Sequence, residues 1–473
     1  VPSFSIISSA PEIRRLVQEN ILERAFHDAL FPRMLFRAAA TPVLWPANIG
    51  DSMVFTGVGL MTPDLRPLTP GTDPAPGTFT YEQWSAQLQQ YAGSIDTAMP
   101  DTIVAIANLF LRNAQQLGMK AAQSMNRMVR NRMYGGALSG WTTCVTQINA
   151  GALAVDVYRL NGFTRARNPA LLAGSPVKFE AISTSNPLTI YMVLDDGSIH
   201  TASATAFTPT NVGDEVGTGN ITFTPAIPGG RNVPARGAIY SIDRTSMVRV
   251  GGGMKDDDVG ANDYFTFASL RSAVARLRLQ NVPEVEDGRY HGHLDPVSEG
   301  QFFSDAEVQR MLTSLPDYYM YRQFAIGEIG GVVLFRNTEN PLPETVYGGT
   351  SETYSLLDPF PGQMYNNGNV TTGVKLHRVL MYGAGSIFEY YKDLSGLITE
   401  AGLAGKVGDF RLTNNSITVA SDRIQLIIRE PLNRLQDLVS TSYKFIGDWP
   451  VRTDCATGDA ARHKRQIVIA HGE

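Results

Sequence analysis

The sequence predicts an α+β chain of several domains, with an all-β module inserted after one long helix. Three observations carry this prediction. The run from Met99 to Gly136 has a helical apolar period, broken only by Gly118 before its closing Gly135–Gly136 pair. A proline-rich stretch between two β-prone segments precedes that run. After it, residues 137–253 turn to Thr, Val, Ser, Gly and Asn, with sparse charge. The 473 residues, 43% of them hydrophobic, suffice for a core divided among two or three domains.

Residues 1–46 read as an N-terminal arm, an extended stretch followed by a helix that begins at Pro11. Ile13, Val17 and Ile21 recur at helical spacing, as do Leu22, Phe26 and Leu30, with Arg14, Arg15, Glu19 and Glu23 outside. Pro42 and Pro46 detach this arm, which packs either on its own domain or on a neighbouring subunit. Ile13, Arg14, Arg15, Val17 and Ile21 are the candidate contacts for the second case. Residues 47–98 read as an extended loop. Met53–Thr56 is β-prone, and Phe79, Tyr81, Trp84, Ala86 and Leu88 show period-two alternation. Pro63, Pro67, Pro70, Pro74 and Pro76 forbid regular pairing between them. So long a connection is extended or functional, and the segment is read as a hairpin projecting from the body.

Residues 99–136 form the rod. Pro100 suits a first helical position, and Ile103, Ala107, Phe110, Ala114, Ala121, Met125 and Met128 share one face. Arg112 and Arg130 fall opposite, with Lys120 and Arg127 between. This basic stripe either faces a polyanion or is an ordinary solvated and ion-paired helix face, and the second is the commoner case. In the 137–253 module, Lys178–Ile182, Leu188–Val193, Ile199–Ala202, Ile221–Phe223, Ala238–Ile242 and Met247–Val250 read as strands, separated by turns such as Asp195–Gly197 and Pro228–Gly230. Residues 254–419 are mixed. They hold a helix over Phe267–Leu279, a strand over Gly288–Asp295, a capping box at Ser304–Glu307, and strands after Gly331 and over Arg378–Tyr382. Residues 420–473 are grouped as returning strands, with Ile424–Ile428 and Ile467–Ala470 as the β-prone runs.

A net charge of −5 and a pI near 5.9 argue against a protein built to coat nucleic acid non-specifically, though local basic patches remain compatible. No apolar run approaches the roughly 20 residues that span a bilayer, and no basic leader with an apolar stretch opens the sequence. Cys144 and Cys455 lack zinc spacing and read as free thiols. His291 and His293 lie on one side of a strand, compatible with a metal, but only Asp295 is near, and two ordinarily hydrogen-bonded histidines are the commoner case. Asp256–Asp258 lacks the alternating oxygens of a calcium loop. There is no phosphate-binding loop, nucleophile elbow, zinc-protease motif or dinucleotide fingerprint. The residues assign no catalytic group, metal or cofactor.

A projecting hairpin, a long helix and a mixed body follow one another as in tailed-phage coat proteins of the Hong Kong 97 type. The chain resembles in particular the major capsid proteins of the N-four-like podoviruses. The similar stretches are Gln90–Gly136, Asp263–Pro296, Phe324–Leu342 with its Gly-x-Ile-Gly segment, Arg378–Phe388 and Leu432–Val451, about half the chain. Two departures are Asp295, where that branch commonly has histidine before the proline, and the 137–253 insertion.

The resemblance implies a Hong Kong 97-like capsid fold: N-arm (1–46), extended loop (47–98), spine helix (99–136) in a peripheral domain, axial domain (254–419) and return to the peripheral domain (420–473). It implies a non-enzymatic subunit that self-assembles, as hexamers and pentamers, into an icosahedral head in the virion, built in the host bacterial cytoplasm. Packaged double-stranded DNA would be met non-specifically, with Arg112, Lys120, Arg127 and Arg130 facing the interior. Portal, scaffold and a cement or decoration protein are the further partners implied; a membrane is not. The family's lysine–asparagine crosslink is not expected from the loop, because residues 47–98 contain no lysine. Two other readings are a cellular nanocompartment shell, which shares the fold, and a β-rich enzyme or carbohydrate-binding protein.

Overall fold

The computed structural model describes residues 35–46, 50–98, 106–168, 178–210, 217–252, 259–313, 327–337, 344–345, 375–392, 416–429, 438–453 and 463–472, apart from internal breaks of one to three residues. The helix expected from Pro11, with Ile13, Arg14, Arg15, Val17 and Ile21, lies outside these residues, as do the first turn of the rod, Asp256–Asp258 and Cys455. The chain divides into two units, one of residues 1–55, 85–130 and 387–450, the other of residues 56–84, 131–386 and 451–473.

The first unit is built on a six-stranded sheet in the order Thr41–Leu44, Phe388–Tyr391, Leu438–Asp448, Ile424–Arg429, Ser416–Ser421, with Gln89–Ala98 also pairing along Leu438–Asp448. Leu438 to Gly447 run antiparallel to Gln89–Ala98 in unbroken register. Gly93 stands opposite Tyr443, and a Cβ there would come within 2.6 Å of the tyrosine ring. The glycine thus leaves the ring its place on the sheet. Tyr91, Phe445 and Trp449 stack beside it, the last two at 5.1 Å. A second apolar cluster gathers Trp45, Ala86 and Tyr390, with Phe55 stacked on Tyr390 at 4.7 Å.

The rod is a helix over Ile106–Ala137, 32 residues long, and runs one residue past the glycine pair that was expected to close it. Leu117, Ala121, Met125, Val129, Met133 and Ala137 are buried at four-residue steps, and Met128 at the edge is half-buried. This is the apolar face read from the sequence, turned slightly. Gly136 packs closely on Val451, which a Cβ would meet at 2.7 Å.

In the second unit the inserted module is all-β, as its composition predicts. Six strands run in the order Trp141–Thr143, Ala238–Ser241, Leu188–Val193, Ile199–Pro209, Gly219–Thr224, Ala154–Val157, and Arg165–Asn168 pairs with Lys178–Ala181. Val157, Ile190, Met192, Ile221, Phe223 and Ile239 of these strands, with Leu160 and Phe163 from a connection, form one core. Met247–Arg249 was expected in this module. It pairs instead with Gln466–Gly472 in a separate seven-stranded sheet.

That sheet runs Met247–Arg249, Gln466–Gly472, Lys375–Tyr382, Tyr290–Leu294, Val332–Arg336, Glu328–Ile329, with Glu344–Thr345 added on Lys375–Tyr382. Gln466–Gly472 is buried at every position between two neighbours. Its place in the sequence groups it with the strand Ile424–Arg429, but that strand belongs to the other sheet. The near-continuous apolar run is the mark of a central strand, and central placement depends on a partner that the run itself does not name. Helix Phe267–Leu279 begins with a capping box between Thr266 and Ser269. Asp295 caps Pro296–Ser304. Asp305, rather than Ser304, then serves Ala306–Thr313: its carboxylate accepts from the Glu307 amide at 3.1 Å, while Ser304 ends the preceding helix. Among the described residues no helix is long and apolar enough to cross a membrane.

Candidate functional site

The basic stripe separates on the folded helix. Arg112 and Lys120 are exposed, Arg127 is half-buried, and Arg130 is buried at 2% exposure. Arg130 therefore leaves the solvent-facing stripe to which its angular position assigned it. The reason is longitudinal: the helix is covered more fully toward its C-terminal end, where Val129, Arg130 and every residue from Met133 onward are buried, although Arg132 between them stays exposed. An exposed stripe of Arg112 and Lys120, flanked by Arg127, is what is left for an anionic partner.

The two strand histidines do share a side. His291 and His293 both lie against Phe335 and Tyr382, at ring distances of 5.1 to 5.7 Å. No group of three or more metal-ligating side chains occurs among the described residues. His293 also meets Asn337 through its Nδ1, at 3.4 Å. Burial, aided by neighbouring His291, lowers the His293 imidazole to about 3, so it stays neutral in the fold. The unfolded chain binds a proton at this residue below about pH 6.5 while the folded chain does not, so stability falls as pH falls through that window. Taking the pH from 7.5 to 5 is expected to remove about 2 kcal/mol through this group. Urea melts across that range should show the loss, and His293→Phe should flatten the slope. An unchanged slope in the variant would reject the assignment.

The sequence did not disclose the charged knot beside these histidines. Asp295 accepts from His377 Nδ1 at 2.6 Å, and also from the Ser298 hydroxyl and amide. His471 Nε2 lies 2.6 Å from Ser298 Oγ, and its Nδ1 lies 3.4 Å from the Gly472 carbonyl oxygen. His377 and His471 are directly paired across neighbouring strands, with their rings stacked at 5.4 Å. Burial by itself raises the Asp295 carboxyl; hydrogen bonds from His377 and Ser298, with the charge of both imidazoles, outweigh it and hold the group below the ordinary aspartate range. Aspartate, histidine and serine are present, but not as a nucleophilic relay. The histidine that meets the serine is not the one held by the aspartate, and Ser298 and His471 are fully buried. The cluster ties two strands to a helix N-terminus. Only Asp295 could be suspected beforehand, as the residue before Pro296.

The hairpin is the remaining element. Among the described residues, Ser52–Val58 and Tyr81–Gln87 pair with each other and with no other strand. Val54, Val58, Leu65 and Leu68, on the first strand and the connection, are 60%, 66%, 88% and 58% exposed.

No protein family model and no curated protein matches the chain. Among solved structures, it is similar to the capsid structure of cyanophage P-SCSP1u, with 10% identity over 92% of this chain and 87% of that one and a TM-score of 0.44. It is similar also to the capsid of Ralstonia phage GP4, with 12% identity over 92% and 87% and a TM-score of 0.41. A third is the acid-stable capsid of Helicobacter pylori bacteriophage KHP30, with 10% identity over 94% and 92% and a TM-score of 0.43.

Proposed function

We propose that this chain is the major capsid protein of a tailed phage, of the Hong Kong 97 type and the N-four-like branch, which closes into an icosahedral shell around double-stranded DNA. The observation that carries this reading is the hairpin. A two-stranded ribbon in no larger sheet is marginal alone, and here it exposes Val54, Val58, Leu65 and Leu68. Large apolar side chains so exposed gain from cover, and in a closed shell a neighbouring copy stands at every position to supply it. The order of elements agrees: hairpin, sheet strand Gln89–Ala98, 32-residue helix, inserted β-module, mixed body. In this reading Arg112 and Lys120, with Arg127 beside them, meet DNA phosphates without sequence preference, and strength comes from many small overlaps rather than a chemical bond. The N-arm orders on a neighbour, and the subunit acts as a building block rather than an enzyme.

The test is light scattering with negative-stain microscopy, on the full chain and on a chain lacking residues 2–30. The full chain is expected to form hollow or filled icosahedra tens of nanometres across, as closed symmetry of many copies requires, and the deletion to stay soluble but open. A full chain that stays a monomer of 51.5 kDa at high concentration, even with a scaffold, would sink the proposal. Normal shells from the deletion would remove the arm from it.

A further inference from the structure

A cavity of about 670 Å³ lies where the inserted module meets the strand Met247–Arg249 and the helix Phe267–Leu279. Its floor is aromatic. Tyr191 stacks on Tyr240 at 5.2 Å, and Tyr240 lies 5.4 Å from Trp141, whose Nε1 donates to Thr245 O. Arginines cover these rings: Arg244 sits 5.0 Å from the Tyr240 centroid and 5.4 Å from that of Trp141, and Arg249 sits 4.5 Å over Trp141. Arg276 reaches in from the helix, anchored by one nitrogen on Met247 O. No acidic residue lines the cavity among the described residues.

Each feature narrows the ligand. Guanidinium groups stacked on rings lose less freedom when they bind, and their planar forks match carboxylate or phosphate. Gln280, half-buried, also lines the cavity and brings an amide that accepts or donates a hydrogen bond. Ile199 and Ile242, 47% and 42% exposed, form an apolar rim. A peptide meets all three demands: a carboxylate side chain for the arginines, a backbone amide for Gln280, and flanking apolar side chains for the isoleucines. A bare phosphate does not meet the third. The volume lies within the roughly 300–1,000 Å³ usual for ligand sites.

We propose that this cavity is a docking site for an acidic peptide segment of a partner protein, with Arg244 and Arg276 holding a carboxylate and Ile199 and Ile242 holding its apolar neighbours. The inference stands whether or not the chain forms shells.

The test titrates the full protein, in the assembly state in which it purifies, with acetyl-Leu-Glu-Leu-amide, acetyl-Leu-Gln-Leu-amide and inorganic phosphate, followed by calorimetry. The glutamate peptide is expected to bind about tenfold more tightly than the glutamine peptide, the gain of a charge-assisted pair. The double variant R244Q/R276Q should abolish that preference. Ile199→Asp, a change on the exposed rim, should weaken both peptides through the lost apolar contact, and the glutamate peptide about tenfold more than the glutamine peptide through the added charge. Equal binding of the two peptides, or a preference that survives both variants, would overturn the proposal. Phosphate binding as tightly as the glutamate peptide would also overturn it, in favour of a phosphate-ester site.

Discussion

Replacing Glu389 by glutamine is expected to destabilise the protein by about 3–5 kcal/mol, the cost of leaving a buried charge without its counter-ion. Arg37 meets the carboxylate with both arms of its fork, Nε to Oε2 at 2.9 Å and Nη2 to Oε1 at 2.6 Å, and both side chains are at most 3% exposed. Arg423 approaches the same carboxylate at 3.1 Å. Glutamine keeps the shape but turns an N–H₂ toward a guanidinium. The pair joins residues 352 apart in sequence, next to the parallel pairing of Thr41–Leu44 with Phe388–Tyr391, so its loss strikes the sheet where two distant segments meet. Urea melts of the purified subunit measure the effect. The double variant R37M/E389M should recover part of the loss, since it removes the more deeply buried counter-charge and leaves only the partly exposed Arg423 without the carboxylate. A loss under about 1 kcal/mol for E389Q would reduce the pair to the worth of an exposed ion pair.

The second large effect is expected at Asp295. Asparagine retains the helix cap on Ser298 N but withdraws the charge from His377, and should cost about 3 kcal/mol; alanine, which also removes the cap, should cost about 1 kcal/mol more. The pH dependence separates a charge effect from a packing effect. Asp295 is held below its ordinary value in the fold, so its contribution is present above the unfolded value near 3.9 and is lost as pH falls through the lower folded value. The gap between native protein and D295N should accordingly close below about pH 4. A gap that does not narrow at all as the pH falls below about 4 would assign the loss to packing alone.

Local patterns were legible wherever one face of an element decided its burial. The apolar stripe of the rod, the strand Leu188–Val193, the helix Phe267–Leu279 and the all-β character of residues 137–253 are periodicities of 3.6 or 2, and these survive without knowledge of any partner. Shorter strands escaped: Trp141–Thr143, Ala154–Val157 and Arg165–Asn168 are too brief or too polar to show a period. Membership was harder still. Met247–Arg249 and Gln466–Gly472 looked like strands but went to a sheet shared with Lys375–Tyr382, because pairing is chosen among distant segments by mutual fit and not by either sequence alone.

By itself, then, the sequence determined the alternation of elements, the strands that flank the proline-rich connection and the polar–apolar face of the long helix, since each depends on neighbours within a few residues. The tertiary structure alone decided which charges are buried. Arg130 shares its angular position with exposed Arg112 and differs only in where the helix is covered. Asp295 acquires its two histidines from strands 82 and 176 residues away, and Trp141 its arginines from about a hundred residues on. Desolvation and long-range pairing are properties of packed surfaces, and a charge reads the same on paper whether water or an imidazole stands beside it.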